Sequence, residues 1–290
     1  MPIAPRVDES LVRILVADQF PEWANLPIRP VDIQGWDNRS FRLGDRLLVR
    51  MPSDAAYAPH VEKEQHWLPF LARSLPMEVP SPVAMGRPGR GYPWKWSIYR
   101  FIEGEPATGA ADLEALARDL APFLLALHRI DARAAPSPGN HNFHRGGPLS
   151  HYDGEARAAI RALGGRIGAR KVIAAWEAAL ASPWTRPAVW IHGDIALGNL
   201  LLRDGRLRAV IDFGNLAAGD PACDLAFAWT ALSGSSRVAF QRALDFDEGT
   251  WMRARGWALW KGLVVAAGHA STNAPELSRP LDIVAATLSY

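Results

Sequence analysis

His192-Gly193-Asp194-Ile195-Ala196-Leu197-Gly198-Asn199, followed a short way on by Ile211-Asp212-Phe213-Gly214, is the stretch on which the reading of this chain turns. Metal-dependent phosphoryl transfer needs one carboxylate to take the proton of an attacking hydroxyl. It also needs an amide oxygen and a second carboxylate to hold divalent metal against nucleotide phosphates. Asp194 fits the first role, and Asn199 and Asp212 fit the metal-holding roles. His192 is expected to brace the catalytic loop through its imidazole hydrogen bonds. It is not the base, because the carboxylate two positions on already fills that role.

The flanking letters supply a frame. Ala188-Val189-Trp190-Ile191 reads as a short buried strand running into the loop. Leu200–Leu202 and Leu207–Ile211 read as a hairpin around Asp204-Gly205, a favoured tight-turn pair. Such a hairpin returns the chain beside itself, so Asn199 and Asp212 can face one metal site although thirteen positions separate them. The bland reading makes Asp194 and Asp212 turn residues that cap backbone amides, and Asn199 a loop residue in a left-handed conformation. Two motifs flanking one hairpin make that coincidence rare.

H-G-D-x-x-x-x-N, then I-D-F-G, then Gly219-Asp220-Pro221-Ala222-Cys223-Asp224 resembles the aminoglycoside phosphotransferase family, relatives of the protein kinases that replace H-R-D with H-G-D. The strong part of the resemblance covers residues 188–230, and weaker correspondences run from about 31 to 128. It implies an α+β, bilobal protein-kinase-like fold, with a small N-terminal antiparallel sheet lobe with helices over 1–103 and a larger, mostly helical C-terminal lobe over 104–290. It also implies ATP or GTP as phosphoryl donor, Mg2+ as cofactor, a nucleotide held between lobes, and a small hydroxylated acceptor, often an antibiotic. Asp224 is carried over as a scaffold residue that steadies the catalytic loop. Asp220 before Pro221 reads as a helix N-cap with proline at the first helical position.

Composition is compatible with this. With 290 residues, 49% of them hydrophobic, the chain can bury a core large enough for two lobes. A net charge of +2, with Lys and Arg dispersed, offers no nucleic-acid track. The single cysteine, Cys223, excludes an intrachain disulfide and a cysteine zinc site. The first twenty residues carry charges from Asp8 to Asp18, and no run of eighteen apolar residues occurs, so neither a secretory signal nor a membrane span is expected. A cytoplasmic enzyme follows as the expectation. The letters are silent on oligomeric state.

Along the chain, Asp8–Phe20 predicts an amphipathic helix capped by Asp8, and Pro27–Ile33, Asn38–Leu43 and Arg46–Met51 predict three strands. The turn Gln34–Ser40 takes the place of a phosphate-covering loop, but with one glycine, Gly35, where protein kinases use G-x-G-x-x-G. Its amides and the Asn38 or Ser40 side chains could bond phosphate oxygens, and an ordinary hairpin turn explains it equally well. Arg50 stands where the family pattern usually has a phosphate-pairing lysine. Its guanidinium forks onto oxygens instead of offering a point charge, so the exchange is not conservative. The resemblance places its partner on the helix Pro59–Ser74, at Glu64 in preference to Glu62. Trp94–Ile102 reads as a strand entering Phe-Ile-Glu-Gly, which resembles the interlobe connector of these kinases; the resemblance implies backbone near Tyr99 to Phe101 at the purine edge, and an ordinary strand and turn explains the same letters.

Asp112–Ile130 predicts a long core helix, with His128 structural at its end, and 131–150 predicts a loop whose His141 and His144 lack a third ligand. Further helices are expected near 155–165, 169–181, 236–244, 250–268 and the C-terminus. From 233 onward, where the resemblance puts the acceptor pocket, Asp245, Asp247, Glu248, Glu276 and Asp282 are offset by Arg237, Arg242, Arg253, Arg255, Lys261 and Arg279. A polycationic acceptor favours a carboxylate-lined site. The acceptor therefore stays open among an antibiotic, a metabolite such as choline, homoserine or a sugar, and no acceptor at all, as in a pseudokinase.

Overall fold

The computed structural model describes residues 6–32, 34–110, 112–270 and 275–289. The chain divides into two compact units. The first runs through Arg73, resumes at Glu78–Glu103 and takes in Ile211–Gly214; the second holds Ser74–Met77, Gly104–Val210 and Asn215 onward.

The first unit opens with α1 (Glu9–Gln19), whose start is set by Asp8 accepting from the Leu11 amide at 3.1 Å. β1 (Ile28–Pro30), β2 (Asn38–Leu43), β3 (Leu47–Pro52), α2 (Ala58–Leu71), β4 (Pro82–Gly86) and β5 (Trp96–Arg100) follow. The strands form an antiparallel sheet in the order β1-β2-β3-β5-β4. β5 is paired on both sides, by β3 and β4, and its alternation sorts two environments. Trp96 and Ile98 join Val12, Leu15 and Val16 of α1, with Phe41, Leu43, Val49 and Met51, in one apolar cluster. Ser97 and Tyr99 meet α2, where Gln65 donates to the Ser97 hydroxyl and Tyr99 to Glu64. Each sheet face is therefore covered by a different helix.

Several expected spans are shortened. The strand expected at Pro27–Ile33 is observed at Ile28–Pro30, and Ile33 lies outside the described residues. The strand expected at Trp94–Ile102 is observed at Trp96–Arg100. α2 stops at Leu71 and not Ser74, with Pro69 inside its last turn removing one amide donor. β4 carries no sequence expectation: it is short and lies at the edge of the sheet, and its register shifts between Pro82 and Ala84.

The second unit contains β6 (Glu105–Pro106), α3 (Leu113–Arg129), α4 (Asp153–Leu163), α5 (Ala169–Leu180), β7 (Val189–Ile191), β8 (Leu200–Arg203), β9 (Arg206–Val210) and β10 (Ala217–Gly219). It closes with α6 (Ala222–Leu225), α7 (Phe227–Thr230), α8 (Gly234–Leu244), α9 (Glu248–Ala266) and α10 (Pro280–Leu288). The β8–β9 hairpin turns at Asp204 and Gly205 with φ of 52° and 73°, the two left-handed residues such a turn demands. α3 buries Leu116, Leu120, Phe123, Leu124 and Leu127, the helical stripe legible in the sequence. α9 is buried on nearly every side, with Trp251, Ala254, Trp257, Ala258, Leu259 and Leu263 all inside, and it packs on α4, α5, α6, α7 and α10. It is the axis of this unit. Among the described residues, no helix is long and apolar enough to cross a membrane.

Candidate active site

In the second unit, β7 delivers the chain into the H-G-D loop by pairing antiparallel with β10, Ile191 opposite Ala217. Asp224 then pins the loop from beneath: its two carboxylate oxygens accept from the His192 and Gly193 amides, each at 2.8 Å. The Asp224 side chain is fully buried, and burial pushes its carboxyl up while His192 and the two amides pull it back. Its oxygens face backbone, which suits the scaffold role that the resemblance assigns to it.

Gly193 shows why an arginine could not stand here. Its φ is +84°, and a Cβ at this position would lie 2.5 Å from the Asn215 carbonyl oxygen. His192 is fully buried, and its Nδ1 accepts from the Asp194 amide at 3.2 Å, a bond that shapes the loop. Asn199 donates from Nδ2 to the Asp194 carbonyl at 2.9 Å, which leaves Oδ1 as the atom able to hold a cation. The Asp194 side chain is 38% exposed and has the Lys261 ammonium 3.7 Å from its Oδ1. By the sequence alone Lys261 is one of several cations beyond residue 233. The signal was present, since Lys261 is the sole charged residue in the apolar run 256–266.

The first unit gathers the other charges. Arg50 on β3 places Nη2 2.6 Å from Asp212 Oδ1, and Nη1 3.4 Å from both oxygens of Glu64 on α2. Glu62, the rejected alternative, instead pairs with Lys95 at the surface. Tyr99 donates its phenol to Glu64 and lies 5.9 Å beneath the Arg50 guanidinium. Asp212 has φ of +69°, a left-handed conformation seldom adopted by a residue with a side chain and one that clusters at functional positions. Gly214 follows it, and a Cβ there would meet the His60 ring at 2.4 Å, so His60 of α2 packs directly on the D-F-G turn.

Asn38, Arg50, His60, Glu64, Tyr99, Asp212 and Gly214 line a cavity of about 10 Å³, enough for one water. The Gln34–Ser40 turn is organised by a side chain: Gln34 Oε1 accepts from the Ser40 amide at 2.9 Å and Nε2 donates to the Ser40 carbonyl at 2.9 Å. The Ser40 amide is thereby occupied, the Gly35 carbonyl accepts from Arg39, and Asn38 is buried with only 7% exposure. Asp37 was missed by sequence reasoning. Burial, then the Asp212 and Glu64 carboxylates, push its carboxyl up to about 7 against the pull of Arg50. One guanidinium thus serves three carboxylates.

Tyr99 contributes its side chain and not its backbone to this cluster. It pairs with Leu48 on one side and Pro82 on the other, and the Arg100 and Phe101 amides already donate to the Ser81 and Arg46 carbonyls at 2.9 and 2.8 Å.

Elsewhere in the second unit, α6 begins at Ala222 with Pro221, not Asp220, at its N-cap; Asp220 accepts from the Ala222 amide at 3.1 Å and grips Arg253 of α9 with both oxygens, at 2.6 and 3.1 Å. His144 stacks on His151 with centroids 3.7 Å apart. Among the described residues, no group of three or more His, Cys, Asp or Glu side chains is placed to hold a metal. Asn199 Oδ1 in the second unit and the Asp212 carboxylate in the first are each an oxygen donor of the hard type that Mg2+ takes.

The order β1-β2-β3-β5-β4 with α2 beside it, and a helical unit built on α3 and α9, define a kinase-like α+β fold. The profile of the phosphotransferase enzyme family matches residues 28–259, and the chain belongs to that family and is an enzyme of phosphoryl transfer. No curated protein sequence matches it. Among solved structures it is similar to the GDP and kanamycin complex of APH(2")-IIia, at 16% identity and a TM-score of 0.73 over 96% of this chain and 98% of that one. The streptomycin–ATP–APH(2")-IIa ternary complex is 16% identical, with a TM-score of 0.62 and 97% of each chain covered. Macrolide 2'-phosphotransferase MphH from Brachybacterium faecium, as apoenzyme, is 21% identical, with a TM-score of 0.62 over 96% and 98%. Identities this low speak for the fold alone.

Proposed function

We propose that this protein moves the γ-phosphoryl group of ATP or GTP, with Mg2+, to a hydroxyl of a small molecule, an aminoglycoside-type or other antibiotic being the first class to try. The observation that carries the reading is the H-G-D loop. Asp224 fixes its backbone through two amides, and Asn199 ties to the Asp194 carbonyl, so that Asp194 keeps a partly exposed carboxylate.

In this reading Asp194 orients the acceptor hydroxyl and takes its proton. His192 holds the loop's shape. Asn199 Oδ1 and the Asp212 carboxylate would hold the metal, which when bound neutralises phosphate charge. Arg50, kept in place by Glu64 and Tyr99, offers its fork to phosphate oxygens, and the Gly35, Asn38 and Ser40 turn covers them. Catalysis of this kind is positioning and electrostatics. A cytoplasmic location, with its supply of nucleotide, belongs to the same proposal.

A second reading, a kinase for a small metabolite such as choline, homoserine or a sugar, is favoured by one observation. Two of the carboxylates that might have greeted a polycation are already engaged: Asp247 caps α9 and pairs with Arg186 at 2.7 Å, and Asp282 pairs with Arg279 at 2.7 Å. The side chain of Glu276 lies outside the described residues. Diphosphate release measured with ATP and with GTP, over a panel of aminoglycosides, macrolides, choline, homoserine and sugars, separates the readings. Binding of MgATP or MgGTP with no turnover on any acceptor would make the protein a pseudokinase.

A further inference from the structure

Lys261 sits where an apolar residue would be expected. It lies in the C-terminal half of α9, in the run Gly256–Ala266 whose other members are all uncharged, and its side chain is only 12% exposed. Withdrawing an ammonium from water is costly unless a carboxylate answers it. Asp224 is close enough to feel the charge but spends both oxygens on the His192 and Gly193 amides. Asp194 remains, with Oδ1 3.7 Å from Nζ. Two turns earlier on the same helix, Arg253 grips Asp220. α9 is a rigid, buried element, so the groups it holds are set by the core of the unit and not by the surface loop they belong to.

We propose that Lys261 is a positioning residue of the phosphoryl-transfer centre, steadying one oxygen of the Asp194 carboxylate so that the other is left to the acceptor hydroxyl. The inference rests on the phosphotransfer reading. In the transfer, the acceptor O–H bond breaks and its proton goes to Asp194, the new O–P bond forms, and the bond from the γ-phosphorus to its bridging oxygen breaks, its electron pair leaving with the nucleoside diphosphate. Lys261 acts before that step, by narrowing the orientations open to the base. A loosely held base is one whose displacement by about 1 Å can cost on the order of 10²-fold in rate.

The test is steady-state diphosphate release from MgATP and MgGTP, with water as acceptor, in the wild type, Lys261→Met and Lys261→Arg, alongside nucleotide Kd and Tm. The expected result is a kcat loss of about 10²-fold in Lys261→Met, KM and Kd for nucleotide within about threefold, and recovery of at least tenfold in Lys261→Arg, which restores a cation on the same helix. Should Lys261→Met fail to fold, Lys261→Gln gives the same comparison. Wild-type kcat in the neutral variant overturns the inference while leaving phosphotransfer intact. Equal losses in Met and Arg variants, accompanied by weaker nucleotide binding and a lower Tm, also overturn it, because they describe a packing residue. A wild-type protein that releases no diphosphate with water or with any acceptor of the panel removes the phosphotransfer reading, and the role of Lys261 with it.

Discussion

Arg50 and Asp212 lie 2.6 Å apart, guanidinium Nη2 to carboxylate Oδ1, although 162 positions separate them, and the same guanidinium reaches Glu64 at 3.4 Å. The side chains of Arg50 and Glu64 are 12% and 5% exposed, so this is a largely desolvated charge cluster. An aspartate expected to hold metal is here held by an arginine expected to hold phosphate. Nucleotide with Mg2+ would give each of them its other partner.

Removing the cation from that cluster leaves three neighbouring carboxylates, Asp37, Glu64 and Asp212, without its charge. Arg50→Met should therefore destabilise the protein by about 3 kcal/mol or more, the range for breaking a buried pair from one side. Arg50→Lys should cost less, because the charge stays while the fork is lost. Urea denaturation of the three proteins checks this, and equal midpoints would show the cluster to be idle.

Asp37 feels that negative charge, and its carboxyl is pushed up to about 7, first by burial and then by Asp212. A folded-state value above the ordinary one means that the folded protein binds the proton more tightly. Stability is then fully present below about pH 4 and is lost as pH rises through 7. Asp37→Asn removes the penalty, so the nucleotide-free variant should be more stable than wild type by about 2 to 4 kcal/mol at pH 8, with the gap closing toward pH 5. Melting curves across that range decide it; parallel curves would place Asp37 outside the pH dependence.

His128 carries the opposite sign. It is half-buried near the end of α3 against Phe246, its two ring nitrogens are buried with no hydrogen-bond partner among the described residues, and burial holds its pKa down at about 4. Stability is present above the ordinary value near 6.5 and is lost as pH falls toward 4. Relative to His128→Met, wild type should lose about 3 kcal/mol between pH 7 and pH 4. Chemical denaturation at the two pH values measures the difference directly.

Gly193→Ala tests the backbone of the catalytic loop. The new Cβ would have to share φ of +84° and stand 2.5 Å from the Asn215 carbonyl. About 2 kcal/mol of destabilisation is expected, with loss of most turnover as the Asp224-held amides shift. A fully active, equally stable variant would mean that the loop has slack this geometry denies.

Much of the fold was legible because it rests on local chemistry. Asp8 caps α1 where the apolar stripe begins, Asp204-Gly205 supplies two left-handed residues to a hairpin, and Leu116 to Leu127 repeat at helical spacing. β4 was not legible, because its pairing with β5 is settled by the sheet and not by its own letters. At the site, the motif residues announce themselves by spacing. Three other features do not: Asp220 and Arg253 meet across 33 positions, Lys261 reaches Asp194 from α9, and Asp37 becomes unusual only through burial. Charge partners brought together by tertiary packing leave no periodic trace. Even so, a lone lysine inside an apolar helical run was a readable sign that something answers it.

Asp194 as the base of phosphoryl transfer is tested by Asp194→Asn. The measurement is diphosphate release from labelled MgATP or MgGTP with the best acceptor from the panel, together with nucleotide Kd by calorimetry. The account predicts an unchanged Kd within about threefold and a fall in kcat of about 10³-fold, within the span general-base catalysis provides. Wild-type turnover in the asparagine variant would contradict it.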